Sequence, residues 1–240
     1  MQVTPYKDSN QQKKQQVEQM FDNIAPRYDF LNHFLSLGID KIWRRKAIRI
    51  LSEFKPGFLL DVATGTGDFA IAAAKIKPAK IVAFDISEQM LNVGRIKAEK
   101  IGLSKLIEFK KGDSESMPFP DQAFDAITVA FGVRNFENLE KGLCEFRRVL
   151  KPNGVAVILE FSKPKCFPFK QLYFFYFFTI LPFVGRLVSK DRSAYSYLPE
   201  SVKVFPDDQK FLTILRSCGF SRSKQKRLSF GIATIYIAQK

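Results

Sequence analysis

The chain has 240 residues, 46% of them hydrophobic, and a formal net charge of +14. That length fits one ordinary domain with an added arm, and the apolar fraction suffices for a large core. Three scattered cysteines and a single histidine exclude a disulfide framework and leave little for a histidine metal centre or a Ser-His-Asp triad.

The N-terminal "KDSNQQKKQQVEQ" is polar and has no signal-peptide core. Residues 12–52 then place apolar side chains at three- and four-residue steps, broken at Pro26 and Gly38, which predicts helices. "FLLDVA" (Phe58 to Ala63) reads as a buried strand and "DFAIAAAKI" as the helix after it. "KIVAFDI" (Lys80 to Ile86) is a second strand, followed by a helix capped at Ser87 and closed at Gly102. "LIEFKKGD" (Leu106 to Asp113) and "AFDAITVAF" (Ala123 to Phe131) are the third and fourth strands. "LEKGLCEFRRVL" is a helix ended by "KPNG", and "VAVILEF" (Val155 to Phe161) is the fifth strand. The tail adds an aromatic helix pair, a helix around "DDQKFLTILRSCGF", and a last strand "GIATIYIAQ". Continuous apolar strands alternating with helices predict an α/β fold with a mostly parallel sheet covered on both faces.

In such a sheet the ligand lies at the carboxyl ends of the strands. Here those ends carry "DVATGTGD", Asp85, "GDSESMPF" and "AFGVRNFEN". Gly65, Gly67 and Ala70 satisfy the G-x-G-x-x-A dinucleotide pattern, but Asp68 sits directly after the second glycine, where it would repel a pyrophosphate. A sulfonium cation and an amino acid ammonium suit that carboxylate better. Asp85 can accept hydrogen bonds from ribose hydroxyls, and Asp113 offers an acceptor to an adenine amino group.

Asp61, "ATGTGD", "FDIS", "GDSESMPFPDQAFDAITVAFGVRNF" and "EFRRVLKPNGVAVILEFSKP" resemble a class I S-adenosylmethionine-dependent methyltransferase. With "MFDNIAPRYDFLNHFLSLGIDKIWRR" and "SYLPESVKVFPDDQKF" added, the chain resembles the ubiquinone/menaquinone biosynthesis C-methyltransferases over about residues 17–240. The usual turn has glycine where Ala63 stands, a departure that looks acceptable within this family. The resemblance implies a doubly wound, mostly parallel seven-stranded sheet of Rossmann-like type, with a helical arm or lid at 1–54. The methyltransferase domain would fill 55–240, with an aromatic insertion at about 167–200.

It also implies S-adenosylmethionine as cofactor, bound by Asp61, Gly65, Thr66, Gly67, Asp85, Ile86, Asp113, Ser114 and Ala130. Arg134, Asn135 and Asp68 would act in catalysis, holding an activated water, with no metal. His33 reads as structural, Tyr28 and Trp43 as packing of the lid, and Phe21 as core. The implied substrate is a prenylated quinol, demethylmenaquinol first and a ubiquinone precursor second; the resemblance allows a homodimer.

The charge points to an acidic partner, with solubility alone as the competing explanation. An RNA methyltransferase would use the charge, but the N-P-P-[YF] loop is missing after the fourth strand, and no nucleic acid is expected. A basic membrane-binding module without chemistry would leave the polar strand ends unexplained. "YFFYFF" (Tyr173 to Phe178) is either a buried helix or a wall for a greasy tail that dips into anionic membrane. Lys163, Lys165, Lys170, Arg186 and Lys190 would face the headgroups. The uncharged run Gln171 to Gly185 is too short to span a bilayer, so the expected location is cytoplasmic and peripheral on the inner membrane face.

Overall fold

The computed structural model describes residues 3–180 and 193–240. The arm consists of α1 (Lys13–Ile24), α2 (Tyr28–Leu35) and α3 (Ile39–Ser52). Pro26 lies in a short 3-10 turn between the first two, and Gly38, at φ +73°, turns the corner into the third.

Seven strands follow: β1 (Phe58–Val62), β2 (Lys80–Asp85), β3 (Ile107–Lys111), β4 (Phe124–Ala130), β5 (Leu150–Phe161), β6 (Arg222–Leu228) and β7 (Ala233–Gln239). Their order is β3-β2-β1-β4-β5-β7-β6. The first five are parallel, and β7 runs antiparallel to both β5 and β6. This is the expected doubly wound sheet. Its order reverses between β1 and β4, which puts the ligand crevice over the carboxyl ends of those strands.

The intervening helices are α4 (Asp68–Ala73), α5 (Glu88–Lys100), α6 (Leu139–Val149), α7 (Phe169–Phe175), α8 (Ser193–Val204) and α9 (Gln209–Ser217). Ser87 caps α5 as expected, its hydroxyl accepting from the Met90 amide.

Successive strand residues face opposite sides. Leu60, Val62 and Ile127 pack with Leu143 and Phe146 of α6 and Phe211 of α9. Leu59, Ile81 and Ala126 pack with Trp43 and Leu51 of α3 and Phe69 of α4. Each large side chain so buried contributes about 1.5–3 kcal/mol. A third cluster joins the arm to the aromatic insertion, with Val17, Met20 and Leu31 against Tyr173, Phe177 and Tyr197.

The aromatic run is neither wholly buried nor wholly exposed. Tyr173 and Phe177 point inward, whereas Phe175 and Phe178 face solvent. No helix among the described residues is long and apolar enough to cross a membrane.

Candidate active site

The site starts at the end of β1. Asp61 is fully buried, and its carboxylate accepts hydrogen bonds from the hydroxyls of Thr64 (2.5 Å) and Thr128 (2.6 Å). It therefore ties the glycine turn to β4. Burial pushes its pKa up to about 6, against the pull of those hydroxyls. Within the turn, Ala63, Gly65 and Gly67 have φ of +49°, +57° and +80°. Ala63 thus carries a side chain where the backbone is left-handed, at a cost of about 1–2 kcal/mol. This is the physical reason a glycine is usual there.

Asp85, at the end of β2, accepts from the Gly65 amide (2.7 Å) and the Ser87 amide (2.9 Å). Burial raises its pKa to about 6 despite these bonds. Asp113 accepts from the Glu115 amide at 2.9 Å and from the Lys14 ammonium at 2.5 Å. Both carboxylate oxygens are thus already engaged once within the chain. The neighbouring Lys13 is buried and donates to the Phe136 carbonyl at 2.8 Å. Its burial lowers its pKa to about 8. Two consecutive lysines of α1 thus fasten the arm across the ends of β3 and β4.

Three cavities meet here. The first is lined by Gly65, Asp85, Ile86, Asp113, Ser114 and Ala130, with Asn135 at one side. A second, small one is lined by Arg44, Asp61, Thr66 and Asp68. The third is an apolar cavity of about 330 Å³ between the arm, the sheet and the aromatic insertion, lined by residues such as Met20, Trp43, Phe161 and Phe177 together with Arg134. Tyr28 lines all three. Of the expected cofactor contacts, Gly67 alone lines none of them. Its part is the turn itself: a Cβ there would come within 3.0 Å of the Phe109 ring.

The three residues expected in catalysis each line a different one of these adjoining cavities. Asp68 lies in the small cavity, held by Lys97 (2.5 Å), by His33 Nε2 (3.3 Å) and by Arg44. Burial opposes its ionisation, but Lys97 and Arg44 outweigh that and keep its pKa below the usual value. Arg134 faces the apolar cavity and forms a buried ion pair with Glu160 at 2.9 Å, while also donating to the Phe131 carbonyl. Asn135 lines the first cavity.

Glu160 is the functional candidate that sequence reading missed. It is fully buried in β5, and it accepts from the Arg134 and Phe161 amides as well. The signal was a lone acid in an otherwise apolar strand, since a buried charge must be paired. His33 bridges Asp40 (3.0 Å) and Asp68, consistent with its structural reading. Phe21, expected as core, instead lines both the first and the apolar cavity.

A sequence model of the ubiE/COQ5 methyltransferase family matches residues 8–240. A demethylmenaquinone methyltransferase of Bacteroides fragilis is 54% identical over 239 residues, covering 99% of this chain and 97% of the relative. A ubiquinone/menaquinone biosynthesis C-methyltransferase of Geobacter sulfurreducens is 46% identical, covering 95% of this chain and 90% of its own length. Among solved structures, a SAM-dependent methyltransferase from Aquifex aeolicus superposes with a TM-score of 0.58 at 24% identity, covering 80% of this chain and 88% of that one. At that identity the likeness shows the fold.

Proposed function

The chain belongs to the ubiE/COQ5 methyltransferase family, and from that premise we propose that it transfers a methyl group from S-adenosylmethionine to a ring carbon of demethylmenaquinol. One observation carries the reading: two cavities that hold the acids of the strand ends meet a large apolar one at Tyr28. A charged donor and a greasy acceptor need that junction.

The residues present fit the donor. In the small cavity Asp61 and Asp68 suit an ammonium, and Arg44, whose buried Nε–H has no partner, suits a carboxylate. Asp85 and Asp113 suit ribose hydroxyls and an adenine amino group. When bound, S-adenosylmethionine would supply a methyl on sulfonium sulfur; as the ring carbon bonded it the sulfur would leave neutral, and the ring carbon's proton would pass to the ionised quinol oxygen, restoring the hydroxyl. The chain's contribution is alignment and exclusion of water. The Arg134 charge favours an ionised quinol oxygen, which pushes electron density into the ring. The arm, residues 1–54, serves as the lid on the domain at 55–240, and Lys13 and Lys14 are its latches.

The test is methyl transfer from labelled S-adenosylmethionine to demethylmenaquinol and, separately, to the demethylated ubiquinol precursor. Label in the naphthoquinol product is expected. Label in the benzoquinol product alone would reassign the substrate. Tight cofactor binding with no label in either would sink the reading.

We further propose that the enzyme meets its polyprenyl substrate at a membrane surface, by the rim of the apolar cavity. Leu37 and Leu172 line that cavity yet are 82% and 60% exposed. Phe30, Phe34, Ile42, Phe175 and Phe178 are exposed on the same helices or next to them. Exposed Lys41, Arg45, Lys46 and Arg49 line α3. Around the aromatic run Lys170 is exposed too, as is Lys165 although it pairs with Asp208, whereas Lys163 pairs with Asp207, and Arg186 and Lys190 lie outside the described residues. Each basic residue near an anionic surface contributes about 1 kcal/mol. Anionic vesicles should retain the protein at low salt and release it at high salt. Phe175→Ser with Phe178→Ser and Leu37→Ser should impair activity on long-tailed quinol more than on a short-tailed analogue. Equal losses on both would end the membrane proposal.

A further inference from the structure

The wall of the apolar cavity includes residues with buried polar atoms that nothing in the folded chain satisfies. The hydroxyls of Tyr173, on α7, and Tyr197, on α8, are buried without a hydrogen-bond partner. The residues themselves are 5% and 3% exposed, and both line the cavity. Arg134, from the loop after β4, lines it too, and its Nε–H is likewise unpartnered. Three separate elements therefore bring three unsatisfied groups to the wall of one greasy enclosure. Phenylalanine at 173 and 197 would supply the same apolar wall without leaving a buried hydroxyl unpaired.

We infer that Tyr173 and Tyr197 bind the ring oxygens of the quinol, with the Arg134 Nε–H as a further donor to whichever oxygen is ionised. The inference rests on the quinol reading above. A phenol both donates and accepts, so it can pair with a quinol hydroxyl or with a phenolate; the guanidinium N–H can only donate. Burial raises the pKa of both tyrosines, so they stay protonated donors at neutral pH. The charges of Arg134 and Glu160 act on both. A cavity otherwise lined by aromatic and aliphatic groups would thereby discriminate a dihydroxy ring from the prenyl chain attached to it. A site built to hydrogen-bond a hydroxyl rejects analogues that lack it, because its own polar groups stay unpaired.

The experiment uses the full chain with Tyr173→Phe, Tyr197→Phe and the double variant. Neither change removes a hydrogen bond from the free protein, so thermal stability should be equal or higher in both. The KM for short-tailed demethylmenaquinol should rise roughly tenfold per hydroxyl, the worth of one hydrogen bond. Calorimetry should show unchanged S-adenosylmethionine affinity. On the two mono-O-methyl ethers of the quinol, each substitution should matter less for the ether that blocks the oxygen it serves. A wild-type protein that methylates the quinol while both phenylalanine variants match its KM overturns the tyrosine assignment alone. Losses of equal size on the quinol and on both ethers overturn it as well. A wild-type protein that neither methylates nor binds the quinol overturns the underlying reading, and the assignment with it.

Discussion

Arg134→Ala is expected to lower folding stability by about 3–5 kcal/mol, because it strands a buried carboxylate without its partner. The Arg134 and Glu160 side chains are 8% and 0% exposed, and their contact is 2.9 Å. A surface ion pair would instead cost about 1 kcal/mol or less on removal. Denaturant unfolding separates the two. Replacing both partners, as Arg134→Met with Glu160→Leu, should recover a large part of the loss, since the pair itself gains little over apolar packing. A single variant as stable as wild type would show that the pair is not buried in solution.

The loss should also depend on pH with a definite sign. Burial already raises the pKa of Glu160, and the Arg134 charge opposes that rise. Without Arg134 the folded-state value climbs further above the unfolded one. The folded protein then binds a proton that the unfolded chain has released, so stability falls as pH rises from about 4.3 toward the folded value. The Arg134→Ala penalty should therefore be smallest in acid and grow toward neutrality. Turnover, measured where the variant is still folded, should drop far more than cofactor affinity, because Arg134 lines the apolar cavity and not the two that hold the strand-end acids.

The parts legible in the sequence are those whose signal is local. β1, β2 and β4 are buried on both faces, so they read as apolar runs, and the acids that end β1 and β2 stand out against them. β6 was not legible. Its "RSKQKRL" is an edge strand paired with β7 alone, and alternating exposed cations are what such an edge carries. Asp68 was legible as an acid in the wrong place for a phosphate. Its partners were not, because Lys97 and His33 reach it from α5 and α2. The tyrosines of the insertion were legible as greasy. Which of their hydroxyls is sealed in and unpaired depends on how the arm packs against the insertion, and no spacing rule encodes that.

Asp85→Ala is expected to weaken S-adenosylmethionine binding by about 2–3 kcal/mol, or about 30- to 150-fold in Kd, the worth of hydrogen bonds to a charged acceptor. The carboxylate does two things. It holds the Gly65 and Ser87 amides, fixing the turn and the start of α5, and it offers its remaining lone pairs to the first cavity. Asp85→Asn should be nearly as damaging: with the Gly65 and Ser87 amides donating to different carboxylate oxygens, the new NH2 must face one donor with another. The pH dependence gives a second reading. The folded-state pKa of about 6 lies above the unfolded value, so the free protein loses stability at this residue as pH rises from about 4 to 6. Ribose hydroxyls donate to the ionised form, so cofactor affinity should move the opposite way, weakening as pH falls through about 6. Asp61, with a similar pKa of about 6, should leave a shallower residual slope in Asp85→Ala. Calorimetric titrations at several pH values report affinity and linked protons together. An unchanged Kd in a folded Asp85→Ala protein, or an affinity that rises in acid, would remove Asp85 from the cofactor site.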